Sequence, residues 1–597
     1  MRKFLGLVVF GMIVAIASVA VAAQPLFVAY PPANHQTTAD RIFLVGTAPP
    51  PGQVSVNGNQ ISRTAAGHFA PTFPLQLGEN LFTLRYENQE VKIKVTRQSN
   101  QPEVPVGLAF AKDSLTPKVD VASLPGEYIC FGAIAPANAR VSVKLAGVTI
   151  PLKARSQVEL PDNKSVLLGE NSPVKKGGSE QYQGCGKTPE NSLSSQGEKV
   201  DLGVPSFELT MNDRTISQQG TGKISILSPA DLEIAEVTAD PGVSRTGAST
   251  DFSRMTPLPK GTRATVIGRE GEWIRLDYGA WIKASEVRIV KDAVPPRSII
   301  RSASSRQVSG WTEVLFPLEI PVPVTVQEGE RTFTLTLYNT TAQTDIIRLD
   351  DDPVISRLEW QQISPLQVQY TFNLKSAQQW GYKLRYDGTT LVLSLKHPPA
   401  NTSMMPISQA KPLSGIKILI DPGHGGPEDG GAVSPVGIRE KTVALTVSKL
   451  VQQELINRGA NVIMTRVEDV DLDLPPRVEM IQKEEPAIAI SIHYNALPDN
   501  GDAIKTKGVG AFWFHPQAHS LAMFLHNYLV AKLNRPSYGV FWNNLAMTRP
   551  AVAPSVLMEL GFLINPEEFE WIGNPTEQKK LAEAIAQGVT EWFASVK

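Results

Sequence analysis

In residues 414–597, short runs rich in β-branched and aromatic residues alternate with longer stretches whose apolar residues recur at helical spacing. Residues 415–420, 487–492, 509–514 and 554–558 read as strands covered on both faces, and 461–465 as a fifth. Between them run three apolar stripes. They are Val443, Leu450, Val451 and Leu455, then Leu521, Leu525, Leu529 and Leu533, and finally Leu581, Ile585, Val589 and Trp592. The last has a helix-start signal in Asn574, Pro575 and Glu577. This alternation predicts an α/β domain, a mainly parallel sheet with helices on both faces. In such sheets ligands bind outside the carboxyl ends of the strands.

That edge collects four side chains with useful chemistry. His424 follows the first strand in the turn Asp421-Pro-Gly-His-Gly-Gly, and Glu440 precedes the first helix between Arg439 and Lys441. His493 and Glu559 end two further strands. Two imidazoles and one carboxylate make a catalytic zinc set that leaves a position open, and the second carboxylate is then free to act as a base. Each residue also has a plainer reading. His424 suits a turn, His493 a core histidine bonded to a carbonyl, and Glu440 a helix-start charge. Glu559, after Val556-Leu-Met, is harder to dismiss, because a buried carboxylate needs a cation or donors.

The order and wording of Asp421-Pro-Gly-His424-Gly-Gly, Arg439-Glu440-Lys441, Ser491-Ile-His493-Tyr-Asn495-Ala and Met558-Glu559-Leu-Gly-Phe562 closely resemble the zinc-dependent N-acetylmuramoyl-L-alanine amidases. The resemblance implies Zn2+ on His424, Glu440 and His493, Glu559 as catalytic base, and peptidoglycan as substrate, cut between muramic acid and the stem peptide. Met464-Thr465-Arg466, Arg477 and Asn565-Pro-Glu-Glu568 agree with the family as well. Arg466 and Arg477 either meet stem-peptide carboxylates or hold the loop 467–476 over the sheet. Asp421 either orients His424 or shapes the turn, and Asn495 either faces substrate or caps the strand. A zinc peptidase cutting another wall amide and a non-catalytic wall-binding scaffold are the alternatives. The scaffold is disfavoured because every residue the chemistry needs is present. Some amidases of this family carry a long insertion after the second histidine motif, with a helix that occludes the zinc. The interval 496–508 is too short and polar for one, which implies an open site whose fragment 414–597 works without an activator.

Met1-Arg2-Lys3, an apolar run over 4–17 and Ala20-Val-Ala22 form a signal peptide pattern, expected to be cleaved after Ala22 or Ala23 rather than kept as an anchor. No other segment is long and apolar enough to span a bilayer. The chain is therefore expected to be exported, to the periplasm or cell envelope. In an oxidising compartment its only two cysteines, Cys130 and Cys185, are expected to pair. With 57 basic and 58 acidic residues the chain has no basic excess for nucleic acid. Envelope division or localisation proteins are the partners expected besides the wall.

A chain of 597 residues is several domains. After the signal segment 1–23, residues 24–98 alternate apolar and polar residues between turns and resemble bacterial immunoglobulin-like sandwiches. Residues 99–228 read as a second β-domain, interrupted by a polar, glycine-rich stretch, 171–198, expected as a mobile loop. Residues 229–292 resemble a small Src-homology-3-like barrel. Residues 293–400 are β-rich and weakly resemble a localisation module, and 401–413 is a proline- and serine-bearing linker. The expected organisation is a string of β-modules that place one α/β domain, 414–597, on an insoluble polymer.

Overall fold

The computed structural model describes residues 25–99, 105, 107–155, 158–169, 171–175, 180–189, 199–229, 232–291, 294–399 and 411–596. The signal segment and residues 401–410 of the linker lie outside them.

The C-terminal unit contains strands β1 (Lys417–Pro422), β2 (Asn461–Met464), β3 (Ile488–Asn495), β4 (Val509–Trp513), β5 (Ser537–Trp542) and β6 (Ser555–Phe562). Its helices are α1 (Glu440–Asn457), α2 (Leu474–Glu484), α3 (Pro516–Leu533), α4 (Pro566–Ile572) and α5 (Pro575–Ser595). The sheet order is β2-β1-β3-β6-β4-β5. The first four strands are parallel, β4 runs antiparallel to β6, and β5 runs parallel to β4. Period-two alternation divides each central strand between two faces. Ile418, Ile420, Ile488 and Ile490 join Val447 and Val451 of α1, Leu525 of α3 and Ile585 of α5 in one core. Leu419 and Ala489 point the other way, onto Ile481 of α2. Each fully buried isoleucine contributes roughly 1.5–3 kcal/mol, which makes the register of this sheet costly to shift.

The three striped helices stand where their periodicity puts them. Asn574 caps α5 by accepting from the Thr576 and Glu577 amides, and Asn565 caps α4 in the same way. Other expectations need correction. The stretch 467–476 is not loop throughout, because α2 begins at Leu474 with Pro475 and Pro476 in its first turn. Leu413, placed in the linker, is fully buried in the core. Strands β3 and β6 run past His493 and Glu559, so neither residue ends its strand.

Upstream, residues 27–97 form sheets of three, five and two strands around Leu44, Phe69, Phe82 and Leu84. Strands from 128–219 form a six-stranded sheet. Within the stretch expected to be a mobile loop, Glu180–Lys187 is a strand of that sheet. It sets Cys185 directly opposite Cys130, and the two form a disulfide. Glycine leaves room here, since a side chain at Gly184 or Gly186 would run into Leu152 or Ile150. Strands 234–290 follow an open path rather than a closed barrel, and Arg263–Glu270 continues the pairing into Val121–Ser123 of the preceding unit. Residues 298–396 form a five-stranded and a four-stranded sheet around a shared core.

These units are not strung apart from the α/β unit. Trp380 stacks on Phe593 of α5, with ring centroids 5.9 Å apart. Trp311 donates to Glu485 at the end of α2, 3.0 Å. At the N-terminus, Ile42 and Leu44 enter the local core while the alternating Phe43 and Val45 pack on Ala503, Phe562 and Ile564. Among the described residues, no helix is long and apolar enough to cross a membrane.

Candidate metal centre

His424, Glu440 and His493 come from three separate elements, and their ligand atoms lie within 4.8 Å of one another. His424 sits in the turn after β1 with a left-handed backbone, φ 58°. That conformation costs a non-glycine residue free energy and recurs where side chains are aimed for function. The turn is tied by the Gly425 amide bonding to Asp429 O, 2.9 Å. Asp429 also faces His424 Nδ1 at 2.5 Å, which leaves Nε2 turned toward Glu440. A carboxylate on the far nitrogen fixes the tautomer of a metal-binding imidazole.

Glu440 is the first residue of α1 and is 3 % exposed. One oxygen accepts from the Tyr494 amide at 2.9 Å and faces His493 Nδ1 at 3.0 Å. The other accepts from the Ala432 amide at 2.9 Å and lies 3.2 Å from His424 Nε2. Two glycines make the close approach possible. A Cβ at Gly423 would strike the His493 ring, and one at Gly431, φ 65°, would strike Glu440 and His424.

Glu559 on β6 is paired in register with His493 on β3. Among the described residues its buried Oε2 has no hydrogen-bond partner. Burial and then the neighbouring Glu440 push its carboxyl well above the usual range. Burial pulls in the same direction at Glu440, but the two imidazoles outweigh it and hold that carboxyl low. At His424 burial lowers the pKa, and the Glu440 and Asp429 carboxylates overcome it to push the imidazole up to about 9. The centre thus attracts positive charge. Two imidazoles, a carboxylate and one uncommitted carboxylate suit zinc with an open position.

Structure separates the remaining candidates. Arg466 and Arg477 are buried, at 3 % and 2 %, so neither is placed to meet a stem-peptide carboxylate. Arg466 donates to Pro422 O and Gly423 O, and Arg477 to Pro422 O and His424 O, so both clamp the turn that carries His424. The Asp421 carboxylate makes its hydrogen bonds away from His424. It accepts from Arg477 at 2.8 Å and from Thr465 and Ser491, each at 2.5 Å. Asn495 lines the cleft and accepts from the adjacent Ala496 amide. Asp429, Ala432 and Tyr494 were missed. Asp429 was findable as an acid five residues after a turn histidine, whereas the backbone donors of the other two carry no sequence signal.

The centre lies in a cavity of about 470 Å³. Its walls include Val433, Arg439, Leu497 and Ile564, and also Tyr30 and Phe43 from the N-terminal sandwich. The segment 496–508 forms turns, without a helix across the site.

Residues 418–591 match the N-acetylmuramoyl-L-alanine amidase family. The germination-specific N-acetylmuramoyl-L-alanine amidase of Bacillus subtilis is 36 % identical over 199 residues, 30 % of this chain and 81 % of that protein. The chain belongs to this amidase family. A probable cell wall amidase, LytH, of Staphylococcus epidermidis is 32 % identical over 198 residues, 33 % of this chain and 64 % of the relative. Among solved structures, an N-acetylmuramoyl-L-alanine amidase from Clostridium difficile 630 is 29 % identical, covering 30 % of this chain and 98 % of that one, with a TM-score of 0.29. The amidase match begins at residue 418, so the β-rich units of this amidase lie outside it.

Proposed function

We propose that this amidase cleaves the bond between N-acetylmuramic acid and the stem-peptide L-alanine, with zinc on His424, Glu440 and His493 and with Glu559 as base. The observation that carries the reading is the Glu559 carboxylate, buried beside the triad with an oxygen that no described residue satisfies. Such a group is costly to keep unless the reaction uses it. Bound zinc would acidify water and polarise the scissile carbonyl.

The protein's own part is positioning and proton transfer. Asp429 holds the His424 tautomer, and the Tyr494 and Ala432 amides each fix one Glu440 oxygen. Glu559 takes a proton from the attacking water and returns it to the departing L-alanine nitrogen. Export to the periplasm or envelope and a role in wall remodelling or daughter-cell separation complete the reading.

The test is metal content measured together with turnover. His424→Ala, Glu440→Ala and His493→Ala lose both zinc and activity, while Glu559→Gln keeps zinc and loses turnover. Full zinc in all three ligand variants, or none in Glu559→Gln, refutes these roles.

A further inference from the structure

The cavity that holds the triad is walled partly by a unit nearly 400 residues earlier in the chain. Tyr30 and Phe43 pack against each other with ring centroids 5.2 Å apart. Phe43 packs in one cluster with Phe562 and Ile564, three and five residues after Glu559. The Tyr30 hydroxyl donates to Asp499, and His35 Nε2 meets the same carboxylate at 2.9 Å. Asp499 belongs to the 496–508 segment, which is itself held by Asn565 through Ile504 O and Thr506 O. Phe43 is buried, and the half-buried Tyr30 ring seated on it offers contact area with little further ordering cost.

The opposite chemistry is supplied by Arg439, the residue before Glu440. Among the described residues that line the cavity it is the one lysine or arginine, it is exposed, and no described carboxylate pairs with it. An unpaired guanidinium beside apolar rings fits a peptide that carries a carboxylate.

We propose that the N-terminal sandwich is part of the substrate site. Tyr30, half-buried and backed by the buried ring of Phe43, binds the stem peptide against the catalytic unit, and Arg439 takes one of its carboxylates. This rests on the amidase reading for the identity of the ligand, and it revises the expectation that the β-modules only place the enzyme and that the fragment 414–597 suffices.

The test reads binding rather than turnover. Soluble muropeptides are titrated calorimetrically into the zinc-loaded full chain carrying Glu559→Gln. Adding Tyr30→Ala weakens binding about tenfold, the loss of one aromatic contact, while Tyr30→Phe keeps the ring and stays near the parent. Arg439→Gln weakens muropeptides with free carboxylates about tenfold and spares amidated ones. Unchanged zinc content shows that the catalytic unit of each variant is folded, and near-parent binding by Tyr30→Phe shows that the sandwich tolerates change at this position. Equal affinity for Tyr30→Ala and its parent, Tyr30→Phe as weak as Tyr30→Ala, an equal Arg439→Gln loss on both muropeptides, or no binding at all overturns the proposal. Tyr30→Ala made in the active chain with Glu559 intact that slows digestion of insoluble wall, with soluble affinity unchanged in the Glu559→Gln background, marks a purely tethering sandwich, and that overturns it too. If the wild type cuts a different bond, the amidase reading fails while this binding result still stands.

Discussion

Replacing Arg477 with methionine tests whether the buried cluster beneath the His424 turn supports the sheet edge. The guanidinium donates to Asp421, Leu472 O, Pro422 O and His424 O. Its partner Asp421 is 1 % exposed. Methionine fills much of the volume but leaves a buried carboxylate without its cation, which costs about 3–5 kcal/mol. Thr465 and Ser491 still donate to Asp421 and hold the loss toward the lower end of that range. Hydrogen exchange of the Ile488–Asn495 amides is the suitable assay, because it reads this sheet without requiring the whole multidomain chain to unfold in two states. Burial alone would raise Asp421, but Arg477, Ser491 and Thr465 hold it below the usual value. Its stabilisation is therefore present above the unfolded carboxylate pKa of about 3.9 and is lost as pH falls through the lower folded value. In Arg477→Met that carboxyl titrates higher, so the deficit shrinks at mildly acid pH, where Asp421 becomes protonated. The double variant Asp421→Asn/Arg477→Met should be markedly less destabilised than the sum of the singles. A single-variant cost below about 1 kcal/mol, or strict additivity, refutes the buried-pair reasoning.

Asp429→Asn should lower zinc affinity about 10–100-fold with the fold intact, measured by chelator competition, because the His424 tautomer loses its anionic partner. Removing the Cys130–Cys185 bridge, whose cysteines are 55 residues apart, should destabilise the second β-unit by up to about 4 kcal/mol. The measurement is exchange of the Tyr128–Ala135 amides in Cys130→Ala/Cys185→Ala against the parent.

The α/β unit was legible because its strands and helices are periodic and long, and the four residues proposed for zinc and base stood out because their residue types and motif wording converge on one sheet edge. Strand β5 escaped because Ser537–Trp542 is short, half-buried and glycine-bearing. The Glu180–Lys187 strand hid behind glycines that read as loop but are needed where Leu152 and Ile150 pack close. Arg466 and Arg477 left a substrate role and a structural one open, because sequence shows charge but not burial. Docking of the N-terminal sandwich left no local trace. Phe43 and Val45 alternate with Ile42 and Leu44 as in any strand, and only the fold reveals that Phe43 and Val45 face another unit.

Mass spectrometry of muropeptides digested by the full chain tests the central claim most directly. Intact stem peptides with a free N-terminal L-alanine, formed by the wild type and not by Glu559→Gln, are the predicted products. Fragments cut within the stem peptide, or the same products from Glu559→Gln at the wild-type rate, contradict the account.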